Sequence, residues 1–194
     1  MFRAFKPFIE RYTPSLAHLY RTWRDDHHRR HMTPVETPLG FKLGGNSSMQ
    51  SGEFELELVA LLRSLLHSAH VFVDIGANIG YYTCLARSME KTVVAVEPLN
   101  QNLALLYENL RANRWDHVEV LPVALGKQSG LATLYGATTG ASLVKGWANT
   151  SPMLATTVPV TTLDIVLGCR FLGERIVIKV DVEGAEHSLL QGAT

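Results

Sequence analysis

Apolar and polar positions follow two alternating periods through the central part of the chain. The segments VFVDI at 71–75 and KTVVAVE at 91–97 are short runs rich in β-branched residues, each of a length suited to a buried strand. Between and after them, IGYYTCLARSME and PLNQNLALLYENLRANR repeat at the helical period. In the second, Leu99, Leu103, Leu106 and Leu110 form one stripe. Strand, helix, strand and helix in this order predict parallel strands joined by right-handed crossovers. Upstream, EFELELVALLRSLLHSAH puts Phe54, Leu58, Leu61, Leu62 and Leu65 on one helical face, which is expected to pack against the sheet. Downstream the pattern becomes mixed. VEVLPVAL reads as a strand, but GKQSGLATLYGATTGASLVKG and TVPVTTLD read as short antiparallel or edge strands and loops where a third helix would stand. RIVIKVDVEG restores a buried strand, and GAEHSLLQGAT begins a helix.

The first fifty residues differ from this. Phe2, Phe5, Phe8, Ile9 and Tyr12 fall at helical spacing before Pro14 interrupts, RTWRDDHHRRH is charged, and TPVETPLGFKLGGNSS reads as loop. The expected organisation is an N-terminal extension over 1–50, with two short helices and a loop, and one α/β domain over 51–194. His27, His28 and His31 lack a nearby cysteine or spaced carboxylate and read as a solvated helix end, so no metal site is expected.

Composition narrows the function. With 194 residues, 46% of them hydrophobic, the chain can build one sizeable core. Eighteen basic and eighteen acidic side chains cancel, so no global field favours nucleic acid or an anionic membrane, and neither is expected as a partner. Cys84 and Cys169 have no CxxC spacing, no signal-peptide pattern opens the chain, and no apolar run approaches the roughly 20 residues of a membrane span. A reduced, cytoplasmic protein is expected.

The candidate chemistry sits where strands end. In an open parallel sheet, ligands bind outside the carboxyl ends of the strands, where the strand order reverses. Asp74, Glu97 and Asp181 each fall at such an end. Gly76 and Gly80 let the first turn approach a ligand, and Asn78 is placed to cap the helix that follows. Glu97 stands 21 residues after Gly76, the distance at which an acidic residue ends the second strand and takes ribose hydroxyls. Together these residues describe a site for a nucleoside bearing an amino-acid tail. Each also has a plainer reading: Asp74 as a turn former, Glu97 before Pro98 as a carboxylate favouring a helix dipole, Glu183 and Glu186 as N-terminal helix charges, His187 as a partly exposed helix residue. Tyr81 and Tyr82 read as one lining the turn and one packing on the sheet.

A GxGxxG dinucleotide fingerprint would need glycine at 78 and 81, where Asn78 and Tyr81 stand, and this counts against a nicotinamide or flavin enzyme. The segments VFVDIGANIGYYT, AVEPLNQNLALLYENLRAN, VALGKQSG, ASLV and IKVDVEGAEHSLLQGA instead resemble the FkbM family of S-adenosylmethionine-dependent methyltransferases, from about Glu53 to the C-terminus. The resemblance implies a Rossmann-like methyltransferase fold with a mostly parallel sheet and S-adenosylmethionine as cofactor. It implies that Asp74, Gly76, Ala77, Asn78, Gly80 and Tyr81 surround the methionine part. Glu97 would take the ribose, Pro98 and Asn102 would border the adenosine, and Ala124 would pass near the adenine. Asp181 would face the methyl group beside Glu183, with Asp181 preferred over Glu183 as the general base for a hydroxyl. The acceptor class implied is a sugar, glycan or secondary metabolite. The N-terminal extension and the segment from Gly136 to Pro152 are the candidates for covering it.

Folds of this kind continue past the last helix with further strands, so the resemblance reads the chain as C-terminally truncated at Thr194, with an open edge beside the strand carrying Asp181. That reading keeps a non-catalytic cofactor- or partner-binding fragment as the alternative to an O-methyltransferase. A nucleotide-dependent oxidoreductase stands third.

Overall fold

The computed structural model describes residues 33–136, 140–147 and 155–193. The aromatic repeat before Pro14, the three histidines and parts of the segment from Gly136 to Pro152 lie outside these residues.

Three strands, β3 (Val71–Ile75), β4 (Thr92–Val96) and β5 (Glu119–Leu121), pair in parallel with β9 (Ile176–Val180) in the order β5-β4-β3-β9. The chain moves outward from β3 to β4 and β5, then returns to the other side of β3 with β9. The strand order therefore reverses at the carboxyl end of β3, and a crevice opens there. The register aligns Asp74 of β3 with Ala95 of β4 and Lys179 of β9. This is a mixed α/β architecture with a mostly parallel, Rossmann-like central sheet. Strand periodicity divides the core: Phe72 points into one buried cluster, while Val71, Val73 and Ile75 point into the other.

The Phe72 face is covered by α2 (Leu56–Ser68), α3 (Tyr81–Ser88) and α4 (Asn100–Ala112). In α4 the predicted stripe is buried, with Leu103, Leu106 and Leu110 within the helix and Leu99 at the N-cap. Helix α2 packs on a face rotated from the expected one. Val59, Leu62 and Leu66 are buried, whereas Leu58, Leu61 and Leu65 are exposed. The helix carries leucine on two sides, and its pattern cannot tell which side meets the sheet.

The segment read as loop is structured and belongs to this same layer. Strands β1 (Val35–Glu36) and β2 (Lys42–Leu43) form a small antiparallel hairpin, followed by α1 (Ser47–Ser51). Phe41 and Leu43 are fully buried. Asn109 of α4 and Asn113, which caps the C-terminal end of that helix, hold the hairpin by pairing with the backbone of Gly44 and Lys42.

The opposite face is covered by α5 (Leu163–Leu167) and α6 (Glu186–Leu190). Past β5, the strand read as VEVLPVAL breaks at Pro122 and continues as β6 (Ala124–Leu125). Together with β7 (Gly130–Tyr135) and β8 (Ala155–Thr161), it forms a separate three-stranded sheet of order β6-β8-β7. Val158 and Leu134 of this sheet pack with Leu99 and Ala124, so the second sheet stands beside the crevice.

Candidate functional site

The site begins with the turn after β3. Gly76, Asn78 and Gly80 all take left-handed backbone conformations, at φ of 75°, 52° and 87°. Glycine reaches this region without strain, and asparagine is among the few other residues that do. The cap of α3 is Gly80 and not Asn78, and no side chain caps that helix. The Asn78 amide instead donates to Glu97 Oε2 at 2.8 Å. The turn of β3 and the end of β4 are thereby joined.

Glu97 is almost fully buried. Its Oε1 accepts from the Leu99 amide at 2.9 Å and from Asn102 Nδ2 at 3.2 Å. Two backbone amides and one side-chain amide thus converge on its two oxygens. Burial pushes the Glu97 carboxyl above its usual range. The three hydrogen bonds oppose that shift, and the nearby Asp74 charge adds to it.

Asp74 has no exposed surface. Its Oδ2 accepts from the Thr83 hydroxyl at 2.7 Å, and its Oδ1 faces the Lys179 ammonium at 3.5 Å. Tyr81 and Tyr82 both pack inward, against the expectation of one in each place. Tyr81 meets Phe41 and Phe54 edge-on, and Tyr82 donates to Glu55. Burial, then the hydrogen bond to Glu55, raises the Tyr82 hydroxyl far above its ordinary range, and burial raises Tyr81 and Cys84 as well.

At the end of β9, the Asp181 amide donates to Ile75 O at 3.0 Å, while its side chain is 60% exposed. Glu183 has a left-handed backbone, and its Oε2 accepts from Trp147 Nε1 at 2.8 Å. The buried Ser142 hydroxyl donates to the Glu183 carbonyl, so residues 140–147 clasp the turn after β9. Glu186 Oε1 accepts from the Gly184 amide, and His187 is exposed on α6. Sequence reasoning missed Lys179, Ser142 and Trp147. Lys179 was legible only through the strand register, and the other two only through the loop that brings them back.

These elements surround an open cleft at the carboxyl end of the sheet. Of the predicted site residues, Gly76, Asn78, Glu97, Pro98, Asn102, Ala124, Asp181 and Glu183 line it. Asp74, Ala77, Gly80 and Tyr81 do not. Val96, Val123, Leu125, Leu134 and Leu143 supply an apolar wall. The lining thus combines an aliphatic wall with the Glu97 carboxylate and the Gly76 turn. Among the described residues, no group of three or more His, Cys, Asp or Glu side chains is placed to hold a metal ion, and no helix is long and apolar enough to cross a membrane.

Residues 74–194 match the family described as methyltransferase FkbM domain. No curated protein matches the chain. Among solved structures it is similar to M. jannaschii TYW2 in complex with AdoMet, at 26% identity and a TM-score of 0.30 over 42% of this chain and 37% of that one. It is also similar to the M. jannaschii tRNA m1G37 methyltransferase, at 18% identity and a TM-score of 0.36 over 48% and 29%. The chain covers less than half the length of either structure.

Proposed function

Because the chain belongs to the FkbM methyltransferase family, whose methyl donor is S-adenosylmethionine, we propose that it methylates a hydroxyl of a sugar, glycan or secondary-metabolite acceptor. The observation that carries this reading is the convergence on one cleft of the Gly76–Asn78 turn, the buried Glu97 carboxylate and the carboxylates of Asp181 and Glu183. When bound, the donor supplies a methyl group already activated on a sulfonium.

The protein's own work is then to bind, align and accept a proton. Gly76 and Asn78 hold the methionine end, with Ala77, Gly80 and Tyr81 supporting their turn. Glu97 accepts from a ribose hydroxyl, and Pro98, Asn102 and Ala124 border the adenosine. Aligning an acceptor oxygen in line with the methyl carbon is a proximity effect worth several kcal/mol, about 7 or more in favourable cases. Asp181, the more exposed of the two rim carboxylates, takes the hydroxyl proton as general base. Glu183, engaged by Trp147, shapes the rim beside it. In this reading the methyltransferase domain runs from residue 51, with the hairpin and α1 packed against it. The same reading takes the setting to be reduced and cytoplasmic.

The test is methyl transfer from labelled S-adenosylmethionine to a panel of hydroxyl-bearing sugars and small metabolites. Label in an acceptor ether, abolished by Asp181→Asn, is expected. Transfer to nitrogen, or donor binding without transfer to any member of the panel, would overturn the hydroxyl assignment.

A further inference from the structure

Lys179, which sequence reading left without a role, sits at the junction of the strand ends. Its ammonium lies 3.5 Å from Asp74 Oδ1, 3.4 Å from Asp181 Oδ2 and 3.4 Å from the Gly76 carbonyl oxygen. The ring centroid of Tyr82 is 5.2 Å away, within cation–π range. The register accounts for the cluster. Lys179 is the partner of Asp74 across the β3–β9 ladder, so both side chains rise from the same face, and Asp181 returns to that face two residues later.

The three charged groups differ in their access to water. Side-chain exposure is 0% for Asp74, 12% for Lys179 and 60% for Asp181. A fully buried carboxylate is costly unless it is paired. Thr83 satisfies one oxygen of Asp74, and the Lys179 ammonium faces the other. That same ammonium reaches outward to Asp181, the one charged member of the cluster that lines the cleft. A lysine ordinarily loses much rotamer freedom when fixed. Here a buried charge, a carbonyl and an aromatic face hold it in place, so it offers Asp181 a fixed partner.

We propose that Lys179 is a positioning residue for the donor site: anchored by Asp74, it fixes the Asp181 carboxylate at the cleft. Asp74 then acts on the site through Lys179 and not by touching the donor. This rests on the reading above, in which Asp181 faces the donor's reacting end.

The experiment is calorimetric titration of the full chain with S-adenosylhomocysteine and S-adenosylmethionine, alongside urea unfolding. The variants are Lys179→Met, Lys179→Arg, Asp181→Asn, the Lys179→Met/Asp181→Asn double and the Asp74→Asn/Lys179→Met double. Asp181→Asn and Lys179→Met are each expected to weaken donor binding about tenfold, and their double no further than either alone, because both remove one coupled interaction. Lys179→Arg recovers most of the affinity. Asp74→Asn/Lys179→Met removes the buried unpaired charge, so its unfolding midpoint returns toward wild type while donor affinity stays low.

Wild-type affinity in Lys179→Met, no effect of Asp181→Asn, or losses that multiply in the Lys179→Met/Asp181→Asn double would each overturn the proposal. Affinity that recovers with stability in the Asp74→Asn background would reduce Lys179 to a structural counterion and overturn it too. Failure of the site reading is distinguishable: the wild type itself would then bind neither ligand. Wild-type binding that Glu97→Ala abolishes and Lys179→Met leaves unchanged overturns this inference alone.

Discussion

A Cβ placed on Gly76 would stand 1.9 Å from the carbonyl oxygen of Asp181. The turn that leaves β3 and the strand end that carries the cleft carboxylate are thus in backbone contact, and only glycine permits it. Gly76 also has φ of 75°, where a side chain costs roughly 1–2 kcal/mol. Gly76→Ala is expected to lose more stability than that, since an immobile backbone atom must also move, and to lose donor binding with it. Urea unfolding and titration with S-adenosylhomocysteine measure both. A change within about 0.5 kcal/mol would mean that the two strand ends are not tightly joined.

The clasp over Glu183 predicts a split between donor and acceptor behaviour. Trp147 donates to the Glu183 carboxylate and lies so close to Gly184 that a Cβ there would fall 2.5 Å from the indole. Trp147→Phe keeps an aromatic ring and removes the hydrogen bond. With an acceptor in hand, kcat/KM is expected to fall about three- to tenfold, the equivalent of one hydrogen bond of roughly 1 kcal/mol. The dissociation constant for S-adenosylhomocysteine is expected to stay unchanged. A loss in donor affinity instead would place Glu183 on the donor side of the cleft.

Thiol chemistry gives an inexpensive check of the layer beneath the site. Cys84 is fully buried on α3, and burial together with the Asp74 charge raises its thiol, whereas Cys169 is exposed. The thiolate is the reactive form. A disulfide reagent should modify one thiol per native chain quickly and the second only with unfolding. Cys169→Ser should abolish the fast phase.

The sheet was legible because it depends on local patterns, whereas the cap read at Asn78 falls on Gly80. VFVDI and KTVVAVE declare buried strands, and the Asp74, Glu97 and Asp181 positions follow from strand ends alone. Other features depend on distant contacts. Phe41 and Leu43 lie among glycines and prolines that read as loop, and they become core because Asn109 of a later helix and Asn113 at its C-cap bind the hairpin backbone. Asp74 was expected to face the ligand; only the β3–β9 register reveals Lys179 beside it. Glu97 was expected to offer its carboxylate to ribose, and the fold engages three of its acceptor positions first.

Helix α2 supplies a direct test of the rotated face. Leu66 has no exposed surface, whereas Leu61 is 55% exposed. Leu66→Ala is expected to cost about 2–5 kcal/mol, and Leu61→Ala to remain within about 0.5 kcal/mol of wild type. Urea unfolding of both variants decides between this face and the one that the leucine spacing alone suggests. Equal costs would mean that both sides of the helix are covered.

The buried carboxylate of Glu97 should leave a signature in the pH dependence of stability. Its folded pKa is raised, chiefly by burial, above an unfolded value of about 4.3. Between those two values the folded state binds more protons than the unfolded one, so stability falls as pH rises. The contribution is fully present below the unfolded value and is lost as pH passes through the folded one. Glu97→Gln cannot ionise and lacks this dependence. The unfolding free energy of wild type relative to Glu97→Gln is therefore expected to decline from acidic toward neutral pH and then level off. If Glu97 holds the donor's ribose as proposed, that hydroxyl gains an ionised acceptor over the same range, so the wild type's advantage in binding S-adenosylhomocysteine should grow while its advantage in stability shrinks. A stability difference that instead rises with pH would mean that the amides of Asn78 and Leu99 and the side chain of Asn102 outweigh the cost of burial, and that Glu97 holds the turn together more than it waits for a ligand.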